Sequence, residues 1–219
     1  MPKFAHRSFE GGGIAIWKID ESAEHLYAML QTSCYDEQLL ALRHEARRAE
    51  WLAVRVLLKE LFGEDKVIAY HSSGKPYLTD HSMSISVSHT KGYAALAYHE
   101  RCSVGIDVEA ISPRVGRIVH RFTHRDEAAY MKVDDSHERM MMQLINWSAK
   151  ETLYKLVADP LAADFKSVFC IAPYQLAPQG GLDVDVALAG HGTVAVGYEL
   201  FADFVCTWAV APEGNCREG

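Results

Sequence analysis

The chain's capacity for chemistry is concentrated in two carboxylates on an apolar run and in a glutamate and a lysine on a later helix. In Val104-Gly105-Ile106-Asp107-Val108-Glu109 two acids stand two positions apart. Side chains alternate faces along a strand, so Asp107 and Glu109 point one way, and Val104, Ile106 and Val108 point the other way into a core. Like charges on one face repel unless a cation lies between them. A hard divalent ion such as Mg2+ meets that demand with a few carboxylates, phosphate oxygens and waters; the alternative is an edge strand with two solvated acids. Further along, Asn146-Trp147-Ser148-Ala149-Lys150-Glu151-Thr152-Leu153-Tyr154-Lys155-Leu156 reads as helix. Trp147, Glu151 and Lys155 fall at i, i+4 and i+8, along one side of it. Glu151 completes a three-carboxylate set, and Lys155 suits a phosphate oxygen or a developing negative charge. Taken alone, the same pair is an ordinary surface ion pair.

Other elements offer further polar groups. A strand is predicted over 12–19, a short capped helix from Asp20-Glu21-Ser22 to about Gln31, and a long helix over 36–62 that stops at Gly63. Leu42, Ala46, Ala49, Ala53 and Val56 form the buried stripe of that helix. His44, Arg48, Trp51 and Arg55 share another face, which is either a solvated basic face or a phosphate-binding one. Gly74-Lys75-Pro76 sets a tight turn that holds Lys75 outward. Strands at 83–87 and 93–98 are joined through Ser88-His89-Thr90-Lys91-Gly92, which collects hydroxyl and imidazole donors at a strand end. The second half continues with helical material over 115–131, a helix over 136–158 and strands at 165–171, 182–189, 193–201 and 204–210. This order echoes that of the first half and suggests two similar lobes meeting near residue 104.

Composition bounds the answer. The 219 residues are 49% hydrophobic, enough for one large domain or two of about a hundred residues each. The first ten residues lack a signal-peptide pattern, and no window approaches the roughly eighteen apolar residues of a membrane span, so a cytoplasmic protein is expected. Five scattered cysteines without a C-x-x-C are expected to be reduced thiols. A net charge of −7 argues against broad contact with nucleic acid. His120 and His124 stand at i, i+4, but no third ligand is apparent and zinc is not predicted.

The ordered set Gly74-Lys75-Pro76, Ser86-Val87-Ser88-His89-Thr90, Gly105-Ile106-Asp107-Val108-Glu109, Arg121-Phe122-Thr123 leading to Glu127, and Trp147-Ser148-Ala149-Lys150-Glu151 with Lys155 resembles the 4'-phosphopantetheinyl transferases of the surfactin-synthetase-activating type. Order and approximate spacing agree from about residue 42 to 156. The resemblance implies an α+β monomer of two pseudo-symmetric lobes, residues 1–104 and 105–219, each with a small antiparallel sheet packed on helices, and coenzyme A held in the cleft between them. It implies transfer of the phosphopantetheine arm of coenzyme A to a serine of an apo carrier protein in fatty acid, polyketide or peptide synthesis, with release of adenosine 3',5'-bisphosphate. Asp107, Glu109 and Glu151 match the metal-binding acids, for Mg2+ or alternatively Mn2+. Glu151 matches the base that takes the serine proton, directly or through water, and Lys155 matches a cation for the phosphates. Lys75 and His89 match positions at the nucleotide and its 3'-phosphate, with Ser86 and Ser88 beside them, and Arg48 and Arg55 match a basic helix loosely. Two other readings stay open: a metal-dependent nuclease built on Asp107, Glu109, Glu151 and Lys155, and a member that binds coenzyme A or a carrier without transfer.

Overall fold

A computed structural model describes residues 3–30, 34–212, 214 and 216. The chain forms two compact units, 1–100 and 101–219.

In the first unit, β1 (Lys3–Phe9), β2 (Gly12–Lys18), β5 (Ser84–Thr90) and β6 (Tyr93–His99) make an antiparallel sheet in the order β1-β2-β6-β5. A two-stranded ribbon joins β3 (Ile68–Tyr70) to β4 (Pro76–Leu78). The helices are α1 (Ala23–Met29), α2 (Asp36–Ala41) and α3 (Glu45–Phe62). Ser22 caps α1 by accepting the His25 N–H, and Gly63 ends α3 at φ 76°, a conformation that favours glycine. Ala49, Leu52, Ala53, Val56 and Leu57 of α3 meet Ala15, Trp17, Ala94 and Leu96 of β2 and β6 in one apolar core. The expected end of α1 at Gln31 lies outside the described residues. The helix expected over 36–62 is two helices, because Leu42 is extended (φ −87°, ψ 109°) and its carbonyl accepts from Arg48 Nε at 2.6 Å.

In the second unit, β7 (Val104–Ala110), β8 (Phe169–Ile171), β9 (Gln179–Val186), β10 (Gly192–Leu200) and β11 (Phe204–Val210) form an antiparallel sheet in the order β7-β11-β10-β9-β8. The helices are α4 (Val119–Phe122), α5 (Ser136–Val157) and α6 (Phe165–Val168). Asp135 caps α5 by accepting the Glu138 N–H at 2.7 Å, and Ala158 closes it in the left-handed region at φ 54°. Leu144, Ile145, Ala149, Leu153 and Leu156 of α5 meet Leu182, Val184, Val194, Val196 and Val205 in the core. The strand expected over 165–171 is instead one helical turn followed by three residues of strand.

Both units are small antiparallel sheets packed on helices, an α+β architecture. No helix among the described residues is long and apolar enough to cross a membrane. The thiol expectation is corrected in part. Cys34, Cys170 and Cys206 are in no disulfide, but Cys102 and Cys216 form one across 114 residues, a proximity that no local spacing encodes.

Candidate functional site

Strand β7 and helix α5 bring the acids together, and a missing side chain lets them do so. A Cβ at Gly105 would lie 2.2 Å from the carbonyl oxygen of Thr152, so glycine allows α5 to rest directly on β7. The face of β7 that carries Asp107 and Glu109 is therefore covered by α5 rather than by solvent. Asp107 is 5% exposed, and the opposite-facing Val104, Ile106 and Val108 are buried as well. In α5, positions 148, 151, 152 and 155 follow the i, i+3, i+4, i+7 spacing of one stripe, and Ser148, Thr152 and Lys155 all bond to β7 or β11.

Lys155 Nζ donates to Asp107 Oδ1 at 2.8 Å and to the Ile106 carbonyl at 3.0 Å. Ser148 Oγ donates to Asp107 Oδ2 at 2.9 Å and lies 2.9 Å from Thr207 Oγ1. Thr207 is the cross-strand partner of Asp107 on β11, and its Oγ1 lies 2.6 Å from Thr152 Oγ1. Trp147 Nε1 donates to Glu109 Oε1 at 2.8 Å, with its ring packed between Phe122 and Phe165. The motif reading did not assign Ser148, Thr152 and Thr207 a part. The first two are visible in the helical spacing, but Thr207 becomes a neighbour only through strand pairing.

Glu151 has its pKa pushed up to about 7, first by burial and then by Asp107, with Lys155 opposing and Glu109 adding. Glu109 is raised by burial and by Asp107, while the Trp147 hydrogen bond and Lys155 act against this. Three acids thus face one lysine in a partly desolvated place, which costs free energy unless a further cation or protons balance the charge. The oxygen donors and the charge deficit fit a hard divalent ion. Asp107, Glu109 and Glu151 would hold it, although their ligand atoms do not all lie within 4.8 Å of one another. Among the described residues the group that meets that distance is His124, Asp126 and Cys170.

A second buried arrangement supports this one. Lys150, beside Glu151 in sequence but on another side of α5, is fully buried and lies 2.8 Å from each oxygen of the equally buried Glu127. Its ammonium also donates to the Phe122 carbonyl at 2.6 Å, and Glu127 accepts the N–H groups of His124 and Ile171. One ion pair thereby ties α5 to the turn after α4 and to β8.

The first-unit candidates are placed differently. Gly74 takes φ 84°, a left-handed turn that favours glycine, and positions Lys75 at the entry to β4. Ser86 and Ser88 are buried on β5. That strand continues through His89 to Thr90, so these residues belong to the strand rather than to the turn. His89 Nε2 lies 3.4 Å from Glu50 Oε2 of α3. Arg55 corrects the reading of its helix face as a solvated one. It is 2% exposed, its guanidinium carbon lies 3.0 Å from the centre of the Trp51 ring and 4.9 Å from that of Tyr35, and Nη1 donates to the Trp51 carbonyl. A Trp one helical turn before it stacks on the guanidinium. Arg48 is half-buried and bonded to Leu42.

Residues 103–204, which include β7, α5 and β8 to β10, match the model of the 4'-phosphopantetheinyl transferase superfamily. The chain is also similar to 4'-phosphopantetheinyl transferase AcpT of Salmonella typhimurium and of Salmonella typhi, each 29% identical over 112 residues. The match takes in 50% of this chain and 58% of each relative's length.

Proposed function

We propose that the protein transfers the 4'-phosphopantetheine arm of coenzyme A to a serine of an apo carrier protein, as a member of the surfactin-synthetase-activating type. The observation that carries this reading is the gathering of Asp107, Glu109, Glu151 and Lys155 by β7 and α5 inside the stretch that matches the superfamily. The serine oxygen attacks the β-phosphorus of coenzyme A. The bond from that phosphorus to the bridging pyrophosphate oxygen breaks, and adenosine 3',5'-bisphosphate leaves. Glu151 is the group assigned to take the serine proton, directly or through water. Lys155 brings positive charge to the pyrophosphate, and its bonds to Asp107 and Ile106 hold it in place before reaction. A divalent cation held by Asp107, Glu109 and Glu151, Mg2+ or Mn2+, supplies charge neutralisation on the pyrophosphate when bound. Lys75, His89, Ser86 and Ser88 are assigned to the nucleotide and its 3'-phosphate on the motif match alone.

Intact-protein mass spectrometry of a panel of apo acyl, polyketide and peptidyl carriers, incubated with the protein, coenzyme A and Mg2+, tests the reading. The expected result is one phosphopantetheine arm gained on at least one carrier and none with Glu151→Ala. An unmodified panel together with no binding of coenzyme A overturns it; binding without modification of any carrier replaces transfer by simple coenzyme A binding.

A further inference from the structure

We propose that His124, Asp126 and Cys170 form a second metal site in unit 101–219 that takes a borderline divalent transition-metal ion of the Zn2+ class. A ring nitrogen of His124, a carboxylate oxygen of Asp126 and Sγ of Cys170 all lie within 4.8 Å of one another. The turn after α4 contributes the first two and β8 the third, 44 residues on from Asp126 (170 − 126). Imidazole, carboxylate and thiolate together suit zinc, cobalt or nickel rather than the all-oxygen set that magnesium prefers. With the imidazole neutral and the carboxylate and thiolate each carrying one negative charge, the set balances a divalent ion in charge. Three protein ligands leave a fourth position for water.

The backbone beneath this group is fixed by the buried Glu127 carboxylate. Its Oε2 accepts the His124 N–H at 2.9 Å and its Oε1 accepts the N–H of Ile171, the neighbour of Cys170, at 2.8 Å. Lys150 neutralises that carboxylate from below. The side chains above it can adjust, since His124 is 20% and Asp126 63% exposed. A tetrahedral ion with bonds of about 2.0–2.3 Å sets its ligands roughly 3.3–3.8 Å apart, so modest side-chain rotation closes the group. His124 Nδ1 now accepts the Asp126 N–H at 3.2 Å and lies 3.5 Å from Asp126 Oδ2, while Asp126 Oδ1 lies 3.3 Å from Arg125 Nε. Metal binding through Nδ1 exchanges the first of these contacts for a stronger bond. The i, i+4 neighbour His120 is exposed on α4 and belongs to no such group among the described residues.

Titration of the full chain with Co2+ as the probe reads the site directly, because a thiolate ligand adds a near-ultraviolet charge-transfer absorption that an all-oxygen site lacks. One equivalent of Co2+ is expected to produce that absorption and Zn2+ to abolish it. The absorption is expected to be lost in Cys170→Ser and retained in Cys34→Ser and Glu151→Ala. Zn2+ affinity, read by competition with a chromophoric chelator, is expected to fall about tenfold or more in His124→Ala and Asp126→Asn. Circular dichroism confirms the fold of each variant. Absence of the absorption in the unaltered protein, its persistence in Cys170→Ser, or unchanged zinc affinity in folded His124→Ala overturns the proposal.

Discussion

Glu151 is the residue whose environment departs furthest from that of a free carboxylate in the acidic cluster. Its pKa is raised from 4.5 to about 7, so between those values the folded protein holds a proton that the unfolded chain has released. Stability linked to this group is complete below about pH 4.5 and is lost as pH rises toward 7. In EDTA-treated protein, thermal unfolding is expected to show a loss of about 1–2 kcal/mol across that window once screening at a partly exposed group is allowed for, with Glu109 adding in the same direction. Glu151→Gln is expected to remove most of this slope, and Mg2+ at pH 8 to raise the melting temperature of the unaltered protein. For transfer itself, Asp107→Ala or Glu151→Ala is expected to cut turnover by roughly a hundredfold or more with the fold intact, and EDTA to do so reversibly. Near-normal turnover in either variant would refute the site. At the nucleotide end, Lys75→Ala and His89→Ala are expected to raise the coenzyme A KM by about tenfold, the worth of one charge-assisted hydrogen bond. Dephospho-coenzyme A, which lacks the 3'-phosphate, should be affected far less; equal losses on both substrates would detach these residues from that group.

Helix α5 and strand β7 form one working pair, and Gly105 sets their distance. Gly105→Ala places a methyl group against the Thr152 carbonyl, so the helix must lift from the strand. The expected cost is about 2 kcal/mol in urea unfolding, with a loss of transfer larger than the stability change explains, because Lys155 and Ser148 are drawn away from Asp107. The buried Lys150–Glu127 pair anchors the same helix on another side. Glu127→Ala leaves an unpaired buried ammonium and is expected to destabilise the protein by about 3–5 kcal/mol, whereas Lys150→Met with Glu127→Leu should recover only part of that loss, because the N–H groups of His124 and Ile171 lose their acceptor. A double variant no better than the single one would show that the pair does more than neutralise itself. Lys150 and Glu151 are adjacent in sequence yet serve opposite ends of this arrangement, one locking the helix and the other facing Asp107.

At the scale of the whole molecule, the net charge of −7 separates transfer from the nuclease reading, since an acidic surface opposes the phosphate contacts on which duplex binding depends. Labelled duplex DNA with Mg2+ is expected to remain intact on a denaturing gel; cleavage lost in Glu151→Ala would instead favour a nuclease. The strands around β7, the length of α5 and the carboxylate pair were legible in the amino-acid sequence, because alternation, helical spacing and capping are local properties of the chain. Asp107, Glu109, Glu151 and Lys155 could be singled out for the same reason, each pair lying within one element. What the sequence could not carry is every relation between distant segments. Thr207 beside Asp107, Cys216 joined to Cys102, Cys170 beside His124 and Asp126, and Arg55 sealed under Trp51 follow from sheet register and packing, which depend on how the whole chain closes. The face that carries the acids is the plainest case. Alternation put Asp107 and Glu109 on one side of a strand, but only the contact of α5 with the bare Gly105 backbone decided that this side is desolvated, and desolvation is the first cause of the shift in Glu151.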